Sequence, residues 1–431
     1  MLGFQFLITI SLSVALVAGF QRHQLLAHRG VLLEQSKLRF SVPNAHREQH
    51  IIVIGKIILD KYGDPYAHDH DDTSKIAIGG GGPQAAYGVC ASLAARDLLG
   101  WRGEDGTHRK AAAHATTSPP KQNVTFVAPI GLLNWTPEMT ISLNSLLPMF
   151  KAPPKLVSSL EHMTPTIHIW HDTNEIVNWT PVDESFGEKG ADGLWRINLV
   201  DGILDEIKDH DENIVLHAIL QCGQNPTGNG LDALPLFNSS LMERVSAASI
   251  EPILFPDEDG VISNDDINET CAFFERVVAS ISATCQSNQN NKLVLVSPDR
   301  PCYDALCSNS ESSQSMTSAV MQSIEFAIRD GSNGSKIVNH GSSNLIPPAT
   351  LKTKDGKAVN PTGAGNAYAG AYAACRGTGS SMEEAACIAN AVGAVVCEYD
   401  HLPPWTWEVL ERIVEAACEV RSKIGNKSNM Q

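Results

Sequence analysis

Asn360 to Cys375 reads NPTGAGNAYAGAYAAC, and a second alanine-rich run follows from Met382 to Cys397. Gly363, Ala364 and Gly365 let the backbone turn tightly and expose consecutive N–H groups. The small residues behind them form a helix whose dipole puts its positive end at the same point. Together they make an anion hole that holds an oxyanion or phosphate without any basic side chain. A small-residue turn before a helix also serves plain helix packing, so the surroundings decide between the two uses.

Working outward, Ile51 to Ile54 is a β-branched run ending at Gly55 and reads as a buried first strand, with Asp60 close behind it. The stretch IAIGGGGPQAAYGVCASLAARDLL runs a short strand into four glycines and a helix with small residues. Apolar runs at Val124 to Ile130, Ile214 to Leu220, Ile253 to Phe255, Leu293 to Val296 and Lys336 to Val338 have strand length, with helix-length segments such as Ile267 to Cys285 between them. That alternation predicts a parallel sheet covered on both faces. Pro165 to Trp195 alternates apolar and polar positions around Trp170 and Trp179, which suits antiparallel strands projecting from the main sheet. Two polar segments, 101–122 and 299–318, read as insertions, and no internal repeat is present.

In their order and separation these segments resemble the ribokinase-like (pfkB) carbohydrate kinase superfamily. The C-terminal signature matches at Thr362, Gly363, Ala364 and Gly365, and the N-terminal Gly-Gly signature at Gly79, Gly80 and Ala86. The resemblance implies a three-layer α/β/α fold with a mainly parallel central sheet and a small β-lid over the substrate, covering residues 51–425 with 426–431 as a tail. It implies an ATP- and Mg2+-dependent phosphotransferase acting on a sugar, nucleoside or related alcohol. Asp60, Gly79, Gly80, Gln84 and Asn360 would then lie at the substrate, Thr362 to Gly365 at the phosphates, and Asn390 near the nucleotide base, where helix packing is the competing role. Family lids pair between subunits, which gives a homodimer through the lid as an expectation.

Three positions depart from the pattern. Asn366 stands where the catalytic Asp closes the motif, Asn360 replaces the Asp that opens it, and Gln84 replaces an Asn at the sugar. An amide has no basic oxygen at neutral pH, so general-base work at 366 is lost while hydrogen bonding survives. The family's Asn-x-x-Glu magnesium-associated motif is not identifiable. Phosphoryl transfer rests largely on positioning and charge stabilisation, so a slow kinase remains consistent with the sequence. The alternative is a catalytically inactive pseudokinase acting as a plastid binding or assembly module.

The formal net charge of -16 and the lack of Lys/Arg clusters argue against direct nucleic-acid binding. The His- and Asp-rich stretch from Tyr66 to Thr73 has no fixed ligand framework and reads as a solvated loop, and no CxxC pair exists, so no protein metal site is expected. Residues 1–19 carry no charge and read as a signal-like leader, removed to leave a mature form without a membrane segment. Residues 20–50 hold Arg22, Arg29, Lys37, Arg39 and Arg47 against Glu34 and Glu48. A basic segment behind an apolar leader resembles a bipartite plastid presequence, with the secretory pathway as the alternative.

Overall fold

The computed structural model describes residues 50–62, 76–99, 118–171, 177–181, 214–221, 245–254, 262–285, 293–307 and 318–428. All lie within one compact unit, Glu48–Gln431. The leader, the basic presequence, the His- and Asp-rich stretch and most of the 101–122 insertion fall outside the described residues.

Nine strands form the main sheet in the order β13-β12-β11-β10-β9-β8-β1-β4-β5. They are β1 (His50–Ile54), β4 (Val124–Gly131), β5 (Lys155–Ser159), β8 (Ile214–Gln221), β9 (Val245–Ile253), β10 (Leu293–Val296), β11 (Glu325–Arg329), β12 (Ser335–Asn339) and β13 (Ser342–Ile346). Every pairing from β5 through β11 is parallel, and β12 and β13 add an antiparallel margin. The apolar run Ile51–Ile54 of β1 follows from its place inside a three-layer structure. Ile51 and Val53 face one core, Ile52 and Ile54 face the other, and all four are buried.

On the first face pack α1 (Gly81–Leu99), α6 (Ala364–Gly377), α7 (Met382–Cys397) and α8 (Trp407–Ser428), and on the second pack α3 (Asn264–Cys285), α4 (Arg300–Cys307) and α5 (Ser318–Ser323). Ser381 caps α7 in a capping box with Glu384, satisfying two N-terminal donors at once. Helix α8 buries Val409, Leu410, Ile413, Ala416, Ala417 and Val420, the spacing of one helical face. A further helix, α2 (Pro137–Leu146), starts with Thr136 as N-cap and Pro137 in its first turn.

The small second sheet runs β3-β2-β6-β7, from β2 (Ile58–Tyr62), β3 (Ile76–Gly79), β6 (Thr166–His171) and β7 (Val177–Pro181). Trp170 and Trp179 fall on its antiparallel β6–β7 pair, with Trp179 opposite Ile169 and Asn178 opposite Trp170.

Two boundaries differ from the sequence expectation. Of the 299–318 segment, Arg300–Cys307 is helix α4: Asp299 accepts a hydrogen bond from the Cys302 N–H at 2.9 Å, and Cys302 and Leu306, four residues apart, enter the core. The tail expected from residue 426 is still helical to Ser428. The described cysteines are all free thiols, and Cys90, Cys375 and Cys387 are buried as small apolar residues among alanines.

Candidate functional site

Strand order reverses at β1. The chain leaves β1 for β4 and β5 on one side, then returns to β8 beside β1 and proceeds outward on the other. In open α/β sheets ligands bind beyond the strand C-termini at such a reversal. Helix α6 begins at this edge of the sheet. Its N-cap, Gly363, adopts φ 81°, a left-handed conformation that favours glycine. A side chain there would also overlap Gln84 in the first turn of α1. The Ala364 N–H donates to the Pro361 carbonyl at 3.2 Å, which corrects the expectation that this amide faces a ligand. The Gly365 and Asn366 N–H groups follow it in the first helical turn, where no intrahelical acceptor exists, and they form the anion-seeking end.

The remaining family-matched positions divide into two groups. Asp60, Gly79, Gly80, Gln84, Gly363, Gly365 and Asn366 converge. Asp60 on β2 packs its carboxylate against the Gly79 backbone, so a side chain at 79 would overlap it. Gly80, at φ 89°, turns the chain into α1 beside the Lys56 carbonyl. One turn later Gln84 touches both Gly363 and Asn366. Asp60 is only 8% exposed and has no hydrogen-bonded or ion-pair partner among the described residues, and burial pushes its pKa up to about 7.

Asn360 and Asn390 make structural hydrogen bonds, and Thr362 lies in the turn before α6. The Asn360 amide donates to the Asp400 carbonyl at 2.8 Å while its oxygen accepts from the Thr362 N–H at 3.0 Å, so it builds the turn into α6. Thr362 is exposed. Asn390 donates to the Pro347 carbonyl at 3.1 Å and thereby ties α7 to the end of β13.

Two residues that sequence reasoning did not identify complete the cluster. Glu251 near the end of β9 is fully buried, and its Oε1 accepts from Arg329 Nη1 at 2.5 Å. Asn366 lies between Gln84 and Glu251. One polar atom of its amide is 3.1 Å from Gln84 Oε1, and the other is 2.6 Å from Glu251 Oε1 and 3.3 Å from Oε2. A carboxylate only accepts, so the Asn366 NH2 faces Glu251, and the Gln84 amide turns to donate to the Asn366 oxygen. Burial raises the Glu251 pKa, and the Arg329 guanidinium opposes that rise. Behind Glu251, His217 is buried with Nδ1 at 3.0 Å from Ser249 Oγ, and burial together with the nearby Arg329 charge pushes its pKa down to about 3. His217 is therefore neutral, and Glu251 is paired with the Arg329 guanidinium.

Residues 294–402 match the pfkB family carbohydrate kinases, and that span holds Arg329, Asn360, the turn and both following helices. The described architecture aligns over nearly its whole length with solved kinases. The fold is ribokinase-like. The nucleoside kinase of Methanocaldococcus jannaschii, an archaeal member of the ribokinase family, is 17% identical with TM-score 0.52, covering 86% of this chain and all of that one (100%). Phosphofructokinase-2 from Escherichia coli, solved with potassium, is 12% identical with TM-score 0.52 over 86% of this chain and 100% of its own. The Burkholderia thailandensis nucleoside kinase, solved with inosine, is 12% identical with TM-score 0.50 over 85% and 97%. No curated protein sequence matches the chain.

The cofactors that the ribokinase-like resemblance implies fit unequally. A terminal phosphate of ATP suits the amides at the α6 N-terminus. Mg2+ does not suit the described side chains. In nucleotide sites Mg2+ is held by one or two carboxylates together with the phosphates, and the described carboxylate nearest the turn, Glu251, is committed to Arg329 and Asn366.

Proposed function

We propose that the chain is an ATP-dependent phosphotransferase acting on a sugar, nucleoside or related alcohol, working slowly because Asn366 occupies the position of the base. The observation that carries the reading is Asp60, a nearly buried carboxylate without a partner among the described residues, linked through the Gly79–Gln84 turn to the amides that open α6. A buried acceptor with no donor is costly unless a ligand supplies one, and alcohol hydroxyls do so. Bound ATP would supply the transferable phosphoryl group. The chain's own residues would do the rest. Asp60 would accept hydrogen bonds from the acceptor hydroxyls, the Gly365 and Asn366 amides would hold phosphate oxygens, and Gln84 with Asn366 would orient the attacking hydroxyl without removing its proton. Positioning and charge stabilisation dominate phosphoryl transfer, whereas a general base contributes about 10² to 10⁴-fold.

The test is ATP consumption by the full chain with pooled sugars and nucleosides, beside Asp60→Asn. Acceptor-dependent turnover that the variant abolishes is expected. Turnover unaffected by Asp60→Asn, or none with any acceptor, would overturn the reading.

A second reading, a pseudokinase used as a plastid binding or assembly module, draws support from Asn366 and from the Arg329–Glu251 pair at the mouth of the anion hole. Under it the chain binds nucleotide without consuming it. Plastid delivery rests on the leader and the basic segment, and a fluorescent fusion of residues 1–50 tests it. Against the secretory alternative, Asn134, which opens the glycosylation sequon Asn134-Trp135-Thr136, uses its side-chain nitrogen to bond the Thr164 carbonyl at 2.8 Å, leaving it unsuited to a glycan.

A further inference from the structure

The proposed reaction leaves one cation without a task. Arg329 is the last residue of β11, and its guanidinium lies so close to the Gly365 backbone that a side chain at 365 would overlap it. It therefore sits at the mouth of α6, beside the amides that face a phosphate. Glu251, fully buried, holds one edge through Nη1 at 2.5 Å. The Arg329 Nε is buried and makes no hydrogen bond, and the side chain as a whole is 16% exposed. A guanidinium is a planar fork of five donors that matches the oxygens of phosphate. With Nη1 bonded to Glu251, the guanidinium is held beside an anion-seeking helix end.

Resting on the reading of this site as a nucleotide site, we propose that Arg329 is a phosphate-contacting residue positioned by Glu251, and that nucleotide binds here without requiring Mg2+. Magnesium is recruited by carboxylates and phosphates together, and the described carboxylate closest to the turn is already bonded to a cation. Arginine brings its charge to phosphate through directed hydrogen bonds and needs no carboxylate partner on the ligand side. The neutral amide at 366 belongs to the same arrangement. It donates to Glu251 and does not compete for Arg329, whereas a second carboxylate there would draw the guanidinium away from the ligand.

The experiment is calorimetric titration of the full chain with ATP, once in EDTA and once in excess MgCl2, for the wild type, Arg329→Gln, Arg329→Lys and Glu251→Gln. The wild type is expected to bind with affinities within about threefold in the two buffers, Arg329→Gln to lose at least about tenfold in EDTA, and Arg329→Lys to fall between them because it keeps the charge without the fork. Glu251→Gln, which frees the guanidinium, weakens binding while leaving its metal independence unchanged. Wild-type binding that appears only with MgCl2, or Arg329→Gln binding as tightly as wild type, overturns the proposal and leaves the nucleotide reading standing. Absence of binding in both buffers overturns both. Should Arg329→Gln fail to fold, the wild-type comparison and Arg329→Lys still decide.

Discussion

Asp60 is held in surroundings that favour its proton. Its pKa, pushed up to about 7 by burial, lies above the ordinary value of 3.8. Between those limits the folded chain retains a proton that the unfolded chain releases, so this residue's effect is to lower stability as pH rises from about 4 to 7, with no further loss above. Asp60→Asn removes that penalty. Thermal melts of the variant should show a flatter pH profile across this window and greater stability at pH 8, by about 2 to 4 kcal/mol, together with lost acceptor-dependent turnover. At Asn366 the sign differs. Asn366→Asp puts a second carboxylate about 3 Å from Glu251, and two such groups share one proton. The single variant should be less stable above pH 7 and recover toward pH 5, and adding Glu251→Gln should relieve the loss; melts across pH check both. Gln84 and the 363–366 turn were legible because each stands at a helix start that the sequence marks with glycine, and Asp60 because it follows the apolar first strand closely. Glu251 and Arg329 were not. Glu251 is the single charge of β9 and Arg329 closes the short strand β11, and they become a pair only because β9 and β11 reach the same edge with β10 between them, 78 residues apart in sequence.

Between α1 and α6 the contact is backbone against backbone. A methyl added at Gly88 would meet the Ala367 carbonyl, and one added at Gly370 would meet the Ala85 carbonyl. Gly370→Ala therefore overpacks the crossing and should lower the urea midpoint by the equivalent of about 1 to 3 kcal/mol with little change in denaturant slope. The alanine-rich pattern of both helices was plain in the sequence, but which small residues touch was not, since the crossing point depends on how each helix lies on the sheet. Helix α4 was hidden because its flank is serine-rich and only Cys302 and Leu306 mark its buried face. Strand β9 was read only at its end, because VSAASIE alternates small residues that hydropathy alone does not distinguish from loop.

At the scale of the whole molecule the parallel three-layer class was readable from the alternation of strands and helices, while the strand order, and with it the reversal at β1, required the structure. The order places β2, α1, β9, β11 and α6 around one end of the sheet, so a ligand there touches elements from nearly the full length of the domain. Nucleotide at about 100 times its dissociation constant should then raise global stability by about 2.7 kcal/mol, seen as a single cooperative upward shift of the melt. Two separate transitions, with only one responding, would contradict that expectation. The crossing of α1 and α6 has its own consequence for how such a protein changes over time. Because the separation of residues 84 and 366 is set by main chain meeting main chain, a substitution at either place alters what the mouth of the fold does without altering where its parts stand. A lineage built this way can shed or regain its chemistry one codon at a time while the helix crossing keeps both positions in register.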